Sequence, residues 1–222
     1  MSSISGKAQS EEIYTDLKRR GVMLALSSPS GAGKTTISRK LIEVDDNIDI
    51  SISTTTRDRR PGEIDGKHYY FTDDEIFENM IDNEEFLEYA RVFEHMYGTQ
   101  RKPVEEALSN GRDILFDVDW QGTRSITHEV PDDIVSIFIL PPSWEELERR
   151  LRGRGQDSDE EIAHRMSRAQ DEISHYDEYH YVIINYDLDD SLHRVQAILE
   201  AERMKRRRLL DVKEFTDGLK PA

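Results

Sequence analysis

Val22-Met23-Leu24-Ala25-Leu26, followed by Ser27-Ser28-Pro29-Ser30-Gly31-Ala32-Gly33-Lys34-Thr35-Thr36, decides how the rest of this chain is read. The unbroken apolar run predicts a strand covered on both faces. The run after it predicts a phosphate loop. Glycines at 31 and 33 let successive backbone N–H groups turn inward around an anion, Lys34 reaches β and γ oxygens, and Thr35 offers a hydroxyl to Mg²⁺. Ile37, Leu41 and Val44 recur at helical spacing, so Lys34–Val44 reads as a helix whose positive end faces the same anion. One position departs from the pattern Gly-x-x-x-x-Gly-Lys-Ser/Thr: Ser28 stands at its first glycine and cannot take φ > 0 without cost. A Gly/Ser connection without a ligand is the alternative, and the strand before it and helix after it favour phosphate.

A chain of 222 residues supports one well-buried core with room for smaller lobes. It has no cysteine, so disulfides and thiol catalysis are excluded, and the composition fits a cytoplasmic protein. Residues 1–12 lack the apolar centre of a signal peptide, and the longest apolar runs, at Val22 and Ile134, are too short to span a bilayer. A formal net charge of −16 argues against general nucleic-acid binding, which needs a basic face. A nucleotide is nonetheless a polyanion, and arginines do concentrate locally, at 57–60 and between 149 and 168.

Outward from the loop, residues 1–20 read as a polar leader carrying no site. Ile48–Thr54 reads as a second strand, running into Thr55-Thr56-Arg57-Asp58-Arg59-Arg60-Pro61-Gly62-Glu63, an exposed turn rich in anion donors. Gly66-Lys67-His68-Tyr69-Tyr70-Phe71 is a short strand, and Thr72-Asp73-Asp74-Glu75 a capping box opening a helix to about Asn83. Phe86–Phe93 reads as a strand with Glu88 opposite its apolar set or at its end, where a carboxylate judged without its neighbours is ordinary surface, Tyr97-Gly98-Thr99 as a turn, and Pro103 as the start of a helix ending at Gly111. Ile114–Asp119 runs from apolar to acidic: its carboxylates face a metal-phosphate site or cap the helix from Gln121, two readings of equal weight.

Ile134–Leu140 is another buried strand. Ser143 and Ser158 open capping boxes, the second heading a long helix with an apolar stripe at Ile162, Met166, Ala169, Ile173 and Tyr176. Tyr181–Asn185 is the last strand. A closing helix carries Leu192, Val195, Ile198 and Leu199 and ends in the basic run Arg203–Arg208, read as solvated tail. Apolar strands alternating with helices after a first-strand phosphate loop mean a three-layer α/β fold with a parallel sheet. Residues 52–102 and 146–174 interrupt that alternation and read as insertions over the ligand-binding edge of a core formed by 21–51, 103–145 and 175–205, with 1–20 and 206–222 as terminal extensions.

Over about residues 21–205 the chain resembles guanylate kinase, a P-loop nucleoside monophosphate kinase family. Ser-Pro-Ser-Gly-Ala-Gly-Lys-Thr-Thr, Thr-Thr-Arg-x-x-Arg-Pro-Gly-Glu, Asp-Gly-x-x-Tyr, Phe-Leu-Glu-Tyr-Ala, Tyr-Gly-Thr, Asp-Val-Asp-x-Gln-Gly, Gly-Arg-Gly and Ile-Ile-Asn occur in that family's order and spacing. Besides Ser28, Arg59 departs, standing where relatives often have proline. The resemblance implies transfer of the γ-phosphoryl group of ATP to GMP, and to dGMP, with Mg²⁺. It implies that Glu88 accepts the paired N1–H and 2-amino donors of guanine, that Ser53 and Thr99 face O6, and that Asp119 approaches the base. Arg57, Arg60, Tyr69 and Tyr97 would hold the GMP phosphate. Ser28, Pro29, Ser30, Gly31, Ala32, Gly33, Lys34, Thr35 and Thr36 would hold ATP, with Thr35 on the metal and Asn185 at the adenine end. Arg150, Arg154 and Arg165 would close as a lid over the transferred group.

The GMP phosphate is already a nucleophile, so alignment and charge neutralisation suffice, and a closed lid keeps water from competing. Two rivals remain. A peptide-binding module of the same fold characteristically lacks the loop lysine and glycines, all present here as Gly31, Gly33 and Lys34. Another nucleoside monophosphate kinase leaves Glu88 and Ser53 without a reason. The expected partners are therefore ATP and GMP or dGMP, without nucleic acid or membrane, in a monomer or homo-oligomer.

Overall fold

In a computed structural model, which describes residues 17–92, 94–153 and 158–219, strand β1 (Met23–Ser27) lies at the centre of a five-stranded parallel sheet. Its neighbours are β7 (Asp113–Asp117) and β8 (Ile134–Leu140), with β2 (Ile48–Ile50) and β9 (Tyr181–Ile184) at the edges. Met23 stands opposite both Ile114 and Ile134, so the register is set by apolar residues on either side.

Successive β1 residues point to opposite faces, and each face finds a helical cover. Leu24 and Leu26 pack with Ile37 and Leu41 of α1 (Lys34–Val44) and with Val195 and Leu199 of α7 (Leu188–Arg203). Met23 and Ala25 pack with Val104 and Leu108 of α3 (Arg101–Ser109) and with Ile126 of α4 (Trp120–Glu129). The fold is thus the three-layer α/β arrangement, and the unbroken apolar run at 22–26 is the mark of a strand buried twice over.

A second, mixed sheet stands beside the carboxyl ends of the first. It is ordered β4 (Tyr70–Phe71), β3 (Thr54–Thr55), β6 (His95–Gln100), β5 (Phe86–Val92), and α2 (Asp74–Asp82) adjoins it through Phe77, whose ring stacks on Phe86 at 4.5 Å. The helices α5 (Trp144–Arg152) and α6 (Asp159–Ser174) share a small core of Leu147, Leu151, Ile162, Met166 and Ala169. Ser143 caps α5, and Ser158 with Glu161 forms the reciprocal box at α6. Tyr176 lies outside the apolar stripe, half exposed in a short 3₁₀ turn.

Four local expectations are corrected. The single strand over Ile48–Thr54 is two: β2 ends in the parallel sheet, and Thr54 then pairs with Gly98 and Tyr70 in the other sheet. Tyr97-Gly98-Thr99 is strand, not turn, because Gly98 lets the backbone pass beside the Phe86 ring, where a Cβ would lie at 2.8 Å. The helix carrying Pro103 starts earlier, at Arg101, since a proline in the first turn forgoes no helical bond. The capping side chain of α2 is Asp73 rather than Thr72, accepting from the Ile76 amide.

The polar leader and basic tail are also not simply solvated. Arg208 is 1% exposed and donates to the carbonyls of Gly21 (2.7 Å) and Asp133 (2.9 Å). Arg203 spans Asp45 and the buried Asp113, Arg19 also grips Asp113, and Arg20 pairs with Asp133 and Glu105. Acidic residues and main-chain carbonyls, most of them at the amino ends of the strands, draw these cations into the fold.

Candidate active site

The turn after β1 is built by backbone conformation. Gly31 and Gly33 have φ of 97° and 109°, and Gly33 forms the left-handed N-cap of α1. A Cβ on Gly33 would meet the Asn185 amide nitrogen at 2.4 Å. Ser28 needs no glycine: among the described residues Glu84 is the one non-glycine with positive φ, and Ser28 Oγ donates to the Pro29 carbonyl instead. The Ala32 amide closes back on the Pro29 carbonyl, and the Thr36 amide on that of Gly33. Thr35 and Thr36 are exposed on the first turn of α1.

Asn185 lies beneath the loop, 4% exposed, donating to the Ala32 carbonyl at 2.7 Å while its oxygen accepts from Ser191. Both ends of its amide are therefore engaged in holding the loop. Arg150, from α5, donates to the carbonyls of Ala32 and Asn185 and pairs with Glu146. Arg165, from α6, donates to Ser30 Oγ at 3.1 Å. Arg154 lies outside the described residues. Arg150 and Arg165 are thus both brought to the loop, one at its base and one at its rim. A cavity of about 930 Å³ opens beside Ser30, lined by His164, Arg165, Arg168 and Glu172.

On the second sheet, Thr99 Oγ1 donates to Glu88 Oε1 at 2.7 Å across the β5–β6 pair. Burial pushes the Glu88 carboxyl above the usual carboxylate range, and the Thr99 bond only partly offsets it. Arg57 donates to Glu63 at 2.7 Å and lies over the Tyr69 ring at 5.4 Å. The Tyr97 ring stands edge-on to that of Tyr69 at 6.0 Å. Glu63 also accepts from the Arg60 amide, and its bond to Arg57, then this one, hold its carboxyl below the ordinary range. Arg60 and Asp119 are exposed; Asp119 caps α4 by accepting from the Gly122 amide at 2.9 Å.

A smaller cavity, of about 190 Å³, joins the two regions: Ser53, His68, Tyr69 and Thr99 line it together with Asp117 and Val118. Asp117 ends β7 and forms an ion pair with Lys34, whose ammonium also approaches the Val118 carbonyl. The loop lysine and the hydroxyl-lined cavity therefore share one carboxylate. The acidic end of this strand serves both readings at once, Asp117 facing the loop and Asp119 capping the helix.

A family model described as guanylate kinase matches residues 19–202. The chain belongs to the guanylate kinase family. It is 57% identical over 204 residues to the guanylate kinase of Paramagnetospirillum magneticum, covering 92% of this chain and 95% of that one. It is 56% identical to the guanylate kinase of Rhodospirillum rubrum, over 93% and 94% of the two chains. The crystal structure of guanylate kinase from Anaplasma phagocytophilum superposes with a TM-score of 0.70 at 42% identity, over 90% of this chain and 95% of that one. The family is an enzyme family: its reaction moves a phosphoryl group from ATP to GMP, giving ADP and GDP, and this is the reaction the chain serves.

In this guanylate kinase family member, sequence reading gave no site role to Glu63, His68 or Glu172, and weighed Asp117 only as part of the acidic end of its strand. Asp117 carries a signal, its place at the end of an apolar strand. The other three are ordinary polar residues until the fold sets them against Arg57, Ser53 or Ser30.

Proposed function

We propose that the phosphate loop holds ATP and the four-stranded sheet holds GMP, or dGMP, with the γ-phosphoryl group passing in line between them. The observation that carries this is the Asp117–Lys34 pair, which sets the loop's cation at the wall of the hydroxyl-lined cavity. In this reading Ser28 to Thr36 cradle the ATP phosphates. Arg57, Arg60, Tyr69 and Tyr97 take the GMP phosphate, since two guanidinium forks and two phenols satisfy its oxygens. Glu88, Ser53, Thr99 and Asp119 read guanine, Glu88 by accepting two adjacent donors that adenine lacks. Residues 52–102 then form the GMP-binding insertion and 146–174 the lid, whose Arg150, Arg154 and Arg165 neutralise charge on closure. Asn185, placed by the resemblance at the adenine end, also supports this site through the loop, its amide nitrogen donating to the Ala32 carbonyl and its oxygen accepting from Ser191.

ATP-dependent phosphoryl transfer calls for a divalent ion. Among the described residues no group of three or more His, Cys, Asp or Glu side chains could hold a metal alone. The exposed Thr35 hydroxyl beside the loop fits Mg²⁺, which keeps most of its shell as phosphate oxygens and water. When bound, the ion neutralises charge on the β and γ oxygens. The protein's own groups do the rest: Lys34 and the loop amides fix the donor, the arginines and phenols fix the acceptor phosphate, and no covalent intermediate is required. No helix among the described residues is long and apolar enough to cross a membrane.

The test is ADP release with GMP, dGMP, AMP, CMP and UMP as acceptors, ATP and Mg²⁺ being present. GMP and dGMP are expected to support turnover and the other three to give traces. No more ADP with GMP than with buffer overturns the reading and makes a protein-binding role the leading one.

A further inference from the structure

The lid helix and the phosphate loop meet at Ser30 through two separate bonds. Ser30 Oγ accepts from Arg165 Nη1 at 3.1 Å, and the Ser30 amide donates to Glu172 Oε2 at 3.2 Å. Arg165 and Glu172 lie about two turns apart on α6, hence on one face of it. The other oxygen of Glu172 is 3.8 Å from Arg168, one turn back, which aims the carboxylate along that face. The neighbouring face, about 80° round the helix, is fixed by Ile162, Met166 and Ala169 against Leu147 and Leu151 of α5. A rod packed along one face keeps some rotation and sliding, which bonds from the adjacent face can remove.

Glu172 has no part in the roles given above, yet its bond is to the main chain of the loop that presents Lys34. An amide is a fixed point, whereas the Ser30 hydroxyl can rotate. Of the two contacts, the carboxylate–amide bond is thus the one that defines position, and the arginine is the group positioned.

We propose that Glu172 is a positioning residue: by accepting the Ser30 amide hydrogen it registers α6 on the phosphate loop, and so places Arg165 at the height where the transferred phosphoryl group passes. The inference rests on the phosphotransfer reading of the site. It differs from a purely electrostatic role for Glu172, in which the negative charge itself matters, and the two make opposite predictions for two conservative substitutions. Glu172→Gln keeps an acceptor oxygen at the same reach and loses the charge. Glu172→Asp keeps the charge and is one methylene too short for Ser30.

For GMP phosphorylation, kcat is expected to stay within about three-fold of wild type in Glu172→Gln and to fall about ten-fold or more in Glu172→Asp and Glu172→Ala, with KM for GMP nearly unchanged in all three. Amide hydrogen exchange at Ser30, read on the enzyme without nucleotide, should stay slow in wild type and Gln and become fast in Asp and Ala. Turnover of Asp equal to or above that of Gln overturns the proposal, as do three variants at wild-type kcat or Ser30 exchange that ignores the substitutions. Should Glu172→Ala fail to fold, the Gln–Asp pair carries the comparison. A wild-type chain that makes no GDP sinks the phosphotransfer reading instead, and the exchange measurement still decides whether Glu172 registers the helix.

Discussion

Around the phosphate loop the groups proposed to bind anions are main-chain amides held by backbone conformation, with Gly31 and Gly33 at φ 97° and 109° and Asn185 bracing the Ala32 carbonyl from below. On the four-stranded sheet they are side chains, and the protein's own carboxylates hold them: Glu63 on Arg57, Glu88 on Thr99. The first region's cradle is covalently local and its floor is core, so its shape is expected to be the same with or without a nucleotide. The second is held by polar pairs, one across β5 and β6 and one within the connection 56–69, and in the proposed reading substrate contacts compete with them. One half of the site is a mould and the other a set of exchangeable partners, so substitutions should act on rate in the first and on selectivity or affinity in the second.

The largest effect expected is on selectivity, at Glu88. In the proposed reading its carboxylate distinguishes a base with two adjacent donors from one without, and mispairing of buried polar groups is worth on the order of 10⁴ in discrimination. Glu88→Gln keeps shape but sets an amide donor against guanine's own donors. GMP turnover should drop steeply while the already poor AMP turnover drops little, collapsing the GMP/AMP ratio of kcat/KM. The same group gives a pH signature. If guanine is read by the ionised carboxylate, as proposed, then because burial raises the pKa of Glu88, GMP affinity should begin to fall, as pH is lowered, above the range where an exposed glutamate protonates. An unchanged ratio in the mutant would move base reading away from β5.

Lys34 tests the mould. Lys34→Ala should lower kcat by about 10² or more, the usual cost of one preorganised charge contact to a developing transition state. The Tm should stay within about 4 °C, because the Asp117 pair it breaks is partly exposed and such pairs are worth at most ~1 kcal/mol. Near-normal turnover in a folded variant would remove Lys34 from the reaction. A collapse of Tm would show that the Asp117–Lys34 pair, rather than the glycines and core, holds the loop.

What could be read from the sequence follows the same division. The loop was legible because its geometry is made by neighbours in sequence: an apolar strand, two glycines, a lysine and an amphipathic helix. The guanine-facing sheet was legible only in part, since Gly98 reads as a turn until the Phe86 ring is set against it, and the break in strand 48–54 depends on pairing with residues 70 and 98. Its site residues came from resemblance, which names positions without saying what holds them in place. Glu63 closes a motif that gives it no role, and Glu172 is indistinguishable in sequence from the many other acidic residues of a chain with 46 of them. The buried Arg208 was misread for the converse reason: in a basic run the pattern is that of solvated surface, and only the carbonyls of Gly21 and Asp133 at the end of the sheet draw it in.

The smallest expected effect is also the most direct measure of exchange, and it lies at Glu63. Arg57 gives one guanidinium nitrogen to this carboxylate and another to the Asp58 carbonyl, so an incoming phosphate competes with a negative charge already paired to the cation. Glu63→Gln keeps an acceptor for the Arg60 amide, which preserves the turn, and removes the charge that competes with phosphate. KM for GMP should therefore fall by a few-fold at low ionic strength, with kcat unaltered, and the difference should shrink in salt because a pair near the surface is screened within about 10 Å at 0.1 M. The opposite sign is equally informative. A raised KM would mean that Glu63 aims Arg57 at the phosphate instead of occupying it, and the four-stranded sheet would then be as preformed as the loop.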